Sequence, residues 1–430
     1  MFFMAILIKN IDEIYTVTDN PVIKDGYIVI EENIIKEIDT SDNFQRDEKD
    51  FTKVINGRGK LALPGLINTH THAGMTLLRG YADDLPLQTW LKEKIWPYEA
   101  GLSADDIYWG SMLAIIEMLQ TGTTTFTDMY FQMDRVARAV EETGIRGVLT
   151  QGLIEANDGL EGLEDAKRFS REWHQQADGR ITTMLAPHAP YTCSAGYLKK
   201  VIDISVDLEL PINIHVAETR VEYDDSLRKY GLSPVKYLAE LGVLERPVIA
   251  AHCVYVDDGD LEIMADKDVG VAYNPSSNMK LGSGIAPVTK MLEYGINVGI
   301  GTDGVASNNN LDLIEEARIG SYLQKVNGLD PTSLNTDELL SMLTLSGARA
   351  LRLQRLGQLK EGNLADIILV NLNDTSFYYP HHHNLSNLFY AGSGRDVSTV
   401  IINGQVIMED NELLTVDQER VFYEVERITT

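Results

Sequence analysis

His70 and His72 stand two residues apart in NTHTH, His215 and Glu218 share HVAE, His252 sits in AHC and Asp303 in GTDG. Each motif closes a short apolar, β-type run. Two histidines at i and i+2 of a strand project from the same face. Three imidazoles and a carboxylate form a borderline-to-hard donor set that suits a divalent ion, Zn²⁺ first and Fe²⁺ or Mn²⁺ next, with a position left for water. One histidine at a strand end is commonly structural, and an HxH pair arises by chance. The weight lies in the coincidence: five of the nine histidines fall at strand ends, with an aspartate at the last.

The elements that must position these groups follow from hydrophobic texture. From about residue 65, eight apolar runs alternate with helix-patterned stretches such as ADDIYWGSMLAIIEMLQ: LALPGLINTH, TTTFTDM, RGVLTQGLI, ITTMLAPH, PINIHVAET, PVIAAHCVYV, GVAYNPSS and INVGIGTDG. Strands buried on both faces and alternating with helices indicate a parallel sheet. Eight units in about 250 residues predict a (β/α)₈ barrel, whose active site lies at the C-terminal strand ends. A doubly wound sheet is the rival topology. Residues 1–64 and 355–430 read as short strands, with an Asn-Gly turn at 403–404, and predict one composite β-sandwich domain flanking a catalytic barrel over 65–354. The closing helix QERVFYEVERI is expected to pack on that β domain.

Composition excludes several classes. At 430 residues, 44% apolar and 23% charged, the chain has globular usage. Thirty-seven Lys and Arg against 64 Asp and Glu leave a net charge of −27. Such a surface repels phosphate backbones and anionic membranes, so neither nucleic acid nor membrane is an expected partner. The apolar run Phe2–Ile8 precedes Lys9, the reverse of a secretory signal, and no stretch reaches membrane-spanning length. With only Cys193 and Cys253 there is no disulfide framework, and the expected location is the cytoplasm. Both thiols read as small buried residues, the His381–His383 triplet as a solvated loop, and Asn274, Ser277 and Asn278 as shaping the pocket.

PGLINTHTH, HVAET, AHC, PSSNMKLGSG and GTDGVASNN resemble the amidohydrolase superfamily over nearly the whole chain, in the branch of aminohydrolases acting on purines and related heterocycles. WLKEKIWPYEAGLS narrows the resemblance to the 5-methylthioadenosine/S-adenosylhomocysteine deaminases. That resemblance implies metal ligands His70, His72, His215 and Asp303, with His252 and Asp303 serving the water on the metal and Glu218 shuttling protons. It implies a single ion, because ITTMLAPHAP lacks the bridging lysine of dinuclear relatives. It further implies hydrolytic deamination of a 6-aminopurine nucleoside, with Glu99 on the ribose hydroxyls, His188 beside the sugar, Trp90 as an aromatic wall, and a homo-oligomer. Gln151 stands where many relatives carry Arg, and its neutrality is expected to weaken recognition of a charged substrate tail. The alternatives are hydrolysis of another heterocycle, such as an s-triazine or guanine, and a catalytically silent binding barrel.

Overall fold

The structure, a computed structural model, describes residues 5–85 and 89–430. Residues 1–4, the start of the N-terminal apolar run, lie outside the described residues. Among the described residues, seventeen strands fall into two sheets. Five precede the barrel: β1 (Ala5–Tyr15), β2 (Val22–Glu31), β3 (Ile34–Thr40), β4 (Lys53–Asn56) and β5 (Lys60–Pro64). Eight parallel strands form the barrel: β6 (Leu66–Thr71), β7 (Thr123–Tyr130), β8 (Arg146–Leu153), β9 (Ile181–Pro187), β10 (Ile212–Val216), β11 (Val248–His252), β12 (Gly270–Tyr273) and β13 (Val298–Ile300). Four follow it: β14 (Ile367–Asn371), β15 (Val397–Ile402), β16 (Gln405–Glu409) and β17 (Glu412–Leu413).

The terminal strands make one mixed nine-stranded sheet in the order β17-β16-β15-β14-β5-β1-β2-β3, with β4 beside β1. Strand alternation gives it two buried faces, Ile6 and Ile8 on one side and Ala5 and Leu7 on the other. The Asn403-Gly404 turn has both residues at positive φ (52° and 75°), the twist a two-residue hairpin requires. A buried bidentate pair, Arg146 to Asp366 at 3.0 Å twice, ties this sheet to the foot of β8.

The run LALPGLINTH is two strands in different sheets, joined at Gly65. A Cβ there would lie 2.1 Å from Thr124 Oγ1, so only glycine lets the chain cross so close to β7.

Barrel strands β6 to β13 run in sequence order, as βαβ connections require. At the seam between β13 and β6 the ladder is replaced by side-chain bonding. Asn68 Nδ2 donates to Thr302 Oγ1 at 2.8 Å, Thr302 N donates to Asn68 Oδ1 at 3.1 Å, and Asp303 N donates to the His70 carbonyl at 2.9 Å. The seam therefore fixes Asp303 against His70.

The last helix, Gln418–Thr429, departs from expectation. It packs along the barrel helix Ala104–Gln120, with Gln120 Nε2 donating to Gln418 Oε1 at 2.9 Å and the Arg420 guanidinium over the Trp109 ring. Its apolar stripe is short, with Val421 buried, and matches a helix groove rather than a sheet face. Among the described residues no helix is long and apolar enough to cross a membrane.

Candidate metal centre and surrounding cavity

The C-terminal ends of β6, β10, β11 and β13 converge. One ring nitrogen each from His70, His72 and His215 lie within 4.8 Å of one another. Asp303 Oδ1 is 3.1 Å from His72 Nε2 and 3.7 Å from His70 Nε2. Neighbouring carbonyls set the tautomers, because a carbonyl only accepts. His72 Nδ1 donates to the Met129 carbonyl at 2.6 Å and His215 Nδ1 to the His188 carbonyl at 2.7 Å. Each Nε2 is thereby left facing the cluster, the arrangement that orients imidazole ligands.

The electrostatics suit a cation. Burial, then the neighbouring imidazoles, hold His70 and His215 well below the usual histidine pKa, so both stay neutral. Burial also opposes charge on His72, but the hydrogen bond and charge of Asp303 outweigh it and lift its pKa to about 9. Burial raises Asp303, yet His72 and the other imidazoles hold it well below the usual carboxylate range. Both ring nitrogens of the fully buried His70 have no hydrogen-bond partner. Orphaned polar atoms of that kind are rare in folded proteins, and an ion taking the ring's one lone pair would satisfy one of the two. The donor set thus fits one divalent metal ion.

Two more groups face this cluster. Glu218, just past β10, places Oε2 4.0 Å from His252 Nε2, and burial raises the Glu218 pKa. His252 Nδ1 donates to Asn278 Oδ1 at 2.8 Å. Asp303 Oδ2 accepts from Ser277 Oγ at 2.6 Å and Ser307 Oγ at 3.2 Å, and Oδ1 from Gly304 N at 2.8 Å. Asn278 and Ser277 therefore orient His252 and Asp303 rather than merely shaping a wall. Their signal in the sequence was position alone, in PSSNM directly after β12.

The cavity above the cluster is lined by His72, His188, His215, Glu218, His252 and Asp303 at its floor, with Glu99, Trp90, Tyr130 and Tyr191 among its walls. Trp90 is buried and donates Nε1 to the Ala82 carbonyl at 3.0 Å. Glu99 accepts from the Tyr130 hydroxyl at 2.6 Å. His188 packs its ring 4.7 Å from that of His215, and burial lowers its pKa to about 4, so it is neutral. Leu91, Trp96, Phe131, Ile154 and Leu281 add apolar surface, and no Lys or Arg among the described residues lines the space. Tyr130, Trp96, Phe131 and Tyr191 were missed by sequence reasoning, since isolated aromatics carry no spacing signal.

Gln151 is the exception among the expected site residues. A Cβ on Gly147 of the same strand would meet Val140 on the adjacent helix, and Leu149 and Leu153 pack on that outer side. Alternation puts Gln151 with them, while Gly152 lines the cavity. Gln151 is not among the residues lining the cavity, so the structure does not bring it together with the other expected substrate-binding residues. Cys193 and Cys253 are buried free thiols. His383 caps the helix Asn384–Tyr390, and the exposed triplet gathers no ligand set among the described residues.

The Amidohydrolase family profile matches residues 61–407. The chain belongs to the amidohydrolase family. It is 62% identical over 426 residues, 99% of both chains, to a 5-methylthioadenosine/S-adenosylhomocysteine deaminase of Halothermothrix orenii. It is 49% identical to a protein of the same name from Thermoanaerobacter pseudethanolicus, over 99% of this chain and 98% of that one. Among solved amidohydrolase structures, an adenosine deaminase from Xanthomonas campestris with bound zinc superposes with a TM-score of 0.93 at 33% identity, covering 99% of this chain and 97% of the other. A guanine deaminase from C. acetobutylicum shares the fold at a TM-score of 0.83 and 22% identity, over 94% and 99%.

Proposed function

We propose that this amidohydrolase deaminates a 6-aminopurine nucleoside, 5-methylthioadenosine, S-adenosylhomocysteine or adenosine, to the inosine derivative and ammonia. The observation that carries the reading is the convergence of Glu218 and His252 on the imidazole–aspartate cluster at the floor of one aromatic-walled cavity. The 62% identity to a deaminase of that name supports the substrate class.

His70, His72, His215 and Asp303 would hold the ion, with Zn²⁺ favoured because the adenosine deaminase that superposes at 0.93 carries zinc. When bound, such an ion lowers the pKa of a water towards ~7 and so supplies hydroxide at neutral pH. The remaining work belongs to side chains. His252, its Nδ1 fixed by Asn278, and Asp303 orient the water and take its proton. Glu218, whose pKa burial raises, donates to the purine ring nitrogen beside the amine-bearing carbon. That carbon becomes electrophilic, the water oxygen adds, and the tetrahedral carbon carries both oxygen and amine. The proton taken from the water passes to the amine, the exocyclic C–N bond breaks as ammonia leaves, and the added hydroxyl returns its proton to the Glu218 carboxylate as the C=O of hypoxanthine forms. In this reading Glu99 accepts from the ribose hydroxyls, with neutral His188 beside the sugar and Trp90 against the base, and the support is that all three line the cavity. The apolar rim of Leu91, Trp96 and Phe131 suits a neutral 5′-substituent.

Ammonia release across methylthioadenosine, S-adenosylhomocysteine, adenosine, guanine and an s-triazine tests the assignment. Turnover of the three adenine nucleosides and not the others is expected. Preferential turnover of guanine or the triazine overturns it. The buried free thiols are compatible with the cytoplasm, where we place the enzyme.

A further inference from the structure

Glu218 leaves the end of β10 through a backbone that no regular element supports. Ala217 adopts φ 52°, a left-handed conformation unfavourable for a residue with a Cβ. Its carbonyl accepts from Tyr255 N at 3.0 Å, and the Val216 carbonyl accepts from Cys253 N at 3.0 Å, so the turn is tied to the end of β11 on one side. On the other side stands Glu222, buried and third in the helix Arg220–Tyr230.

In an ordinary capping box the third helical residue returns a hydrogen bond to the backbone N–H of the N-cap residue. Thr219 is the N-cap here and accepts from Glu222 N at 3.2 Å. The Glu222 carboxylate nevertheless bypasses Thr219. Oε1 accepts from Ala217 N at 2.8 Å and Oε2 from Glu218 N at 2.9 Å. Both oxygens are committed to the two amides that set the direction of the Glu218 side chain. Helix capping alone does not require this reach.

We propose that Glu222 is a positioning residue for the deamination, fixing the strained Ala217–Glu218 backbone so that Glu218 meets the ring nitrogen and His252. The inference rests on the reading of Glu218 as the proton donor. Glutamine cannot replace Glu222, because its single oxygen serves one amide and its NH₂ faces the other donor.

The test is a double-mutant cycle on the metal-loaded protein with methylthioadenosine: Glu222→Gln, Glu218→Gln and the pair. Groups orienting a site commonly matter by 10–100-fold, so Glu222→Gln should lower kcat by about tenfold or more, with KM and bound metal within about twofold of wild type. Added to Glu218→Gln, it should cause no further loss in kcat, because its effect runs through Glu218. A purely structural role would instead reduce metal content or lower kcat additively in the pair, and either result overturns the proposal. So does unchanged kcat in Glu222→Gln. Unchanged kcat in Glu218→Gln overturns the reading of Glu218 and this inference together, whereas additive losses overturn the inference alone. If Glu222→Gln does not fold, the same cycle with Glu222→Asp, which keeps the charge one methylene short, decides the question by the same criterion.

Discussion

Replacing Tyr130 with phenylalanine removes the hydroxyl that donates to Glu99 Oε1 at 2.6 Å and leaves the buried ring in place. A hydroxyl on an ionised carboxylate contributes ~1.5–3 kcal/mol net. Glu99 is only half-buried, so the lower end of that range applies. At 1.4 kcal/mol per tenfold, kcat/KM for a nucleoside should fall about tenfold. Oε1 is held by Tyr130, so Oε2 is the oxygen left to accept from the ribose. Loss of that hold weakens binding of ground and transition states alike, and the change should appear in KM with kcat nearly intact. The comparison substrate is 2′,3′-dideoxyadenosine, which offers Glu99 no hydroxyl. Initial rates of ammonia release for both nucleosides, in wild type and Tyr130→Phe, measure the coupling directly. The dideoxy substrate should lose less than about twofold. An equal tenfold loss for both substrates would show that Tyr130 acts on the fold or the chemistry, and no loss for either would show that Glu99 needs no such hold.

His215→Ala should lose most bound metal, read by elemental analysis, together with nearly all turnover; full metal content would remove His215 from the ligand set. Glu218→Gln should keep its metal while kcat falls by ~10²–10⁴, the usual range for positioned proton transfer. Wild-type kcat in the metal-replete variant would show another proton route. The metal-free protein should be stabilised by the His72–Asp303 pair. The His72 pKa is raised above its unfolded value to about 9, so that stability is complete below ~6.5 and is lost as pH rises through about 9. A melting temperature of the metal-free protein that does not fall between pH 6.5 and 9 would contradict the pairing. Methylthioadenosine should exceed S-adenosylhomocysteine in kcat/KM, because the cavity has no lining cation among the described residues for a carboxylate tail. Gln151→Arg should leave that ratio within about twofold, and a tenfold shift would mean the side chain reaches the tail after all.

The barrel was legible because most of its strands are short apolar or β-branched runs, and the candidate metal ligands because they sit where those runs stop. A parallel strand buried on both faces has few polar residues, so His70, His215 and His252 at strand ends stand out. Gln151 sits two residues before the end of β8, and its direction depends on alternation relative to Gly147 and Leu149, a parity already present in RGVLTQGLI. The partner of the closing helix was not legible. Its periodicity fixes an apolar face but not which surface receives it, and Arg420 over Trp109 is a contact between residues 311 positions apart.

What no local pattern could supply is the backbone at the site itself. Ala217, His252 and Asp303 have φ of 52°, 73° and 59°, conformations that cost of order 1–3 kcal/mol each and persist only where surroundings impose them. Each is imposed by a bond from elsewhere in the fold. Asp303 is pinned by its own amide to the His70 carbonyl across the seam, Ala217 by Glu222 and Tyr255, and His252 by Asn278 in the helix Pro275–Lys280 that follows β12. The strained residues all lie at the C-terminal rim of β10, β11 and β13, where the ladder has ended and no longer fixes side-chain direction. Leaving the regular strand conformation there turns Glu218, His252 and Asp303 onto one point from three different strands. The residue types that do the chemistry were readable from the sequence; their convergence depends on hydrogen bonds whose partners lie up to 233 positions away.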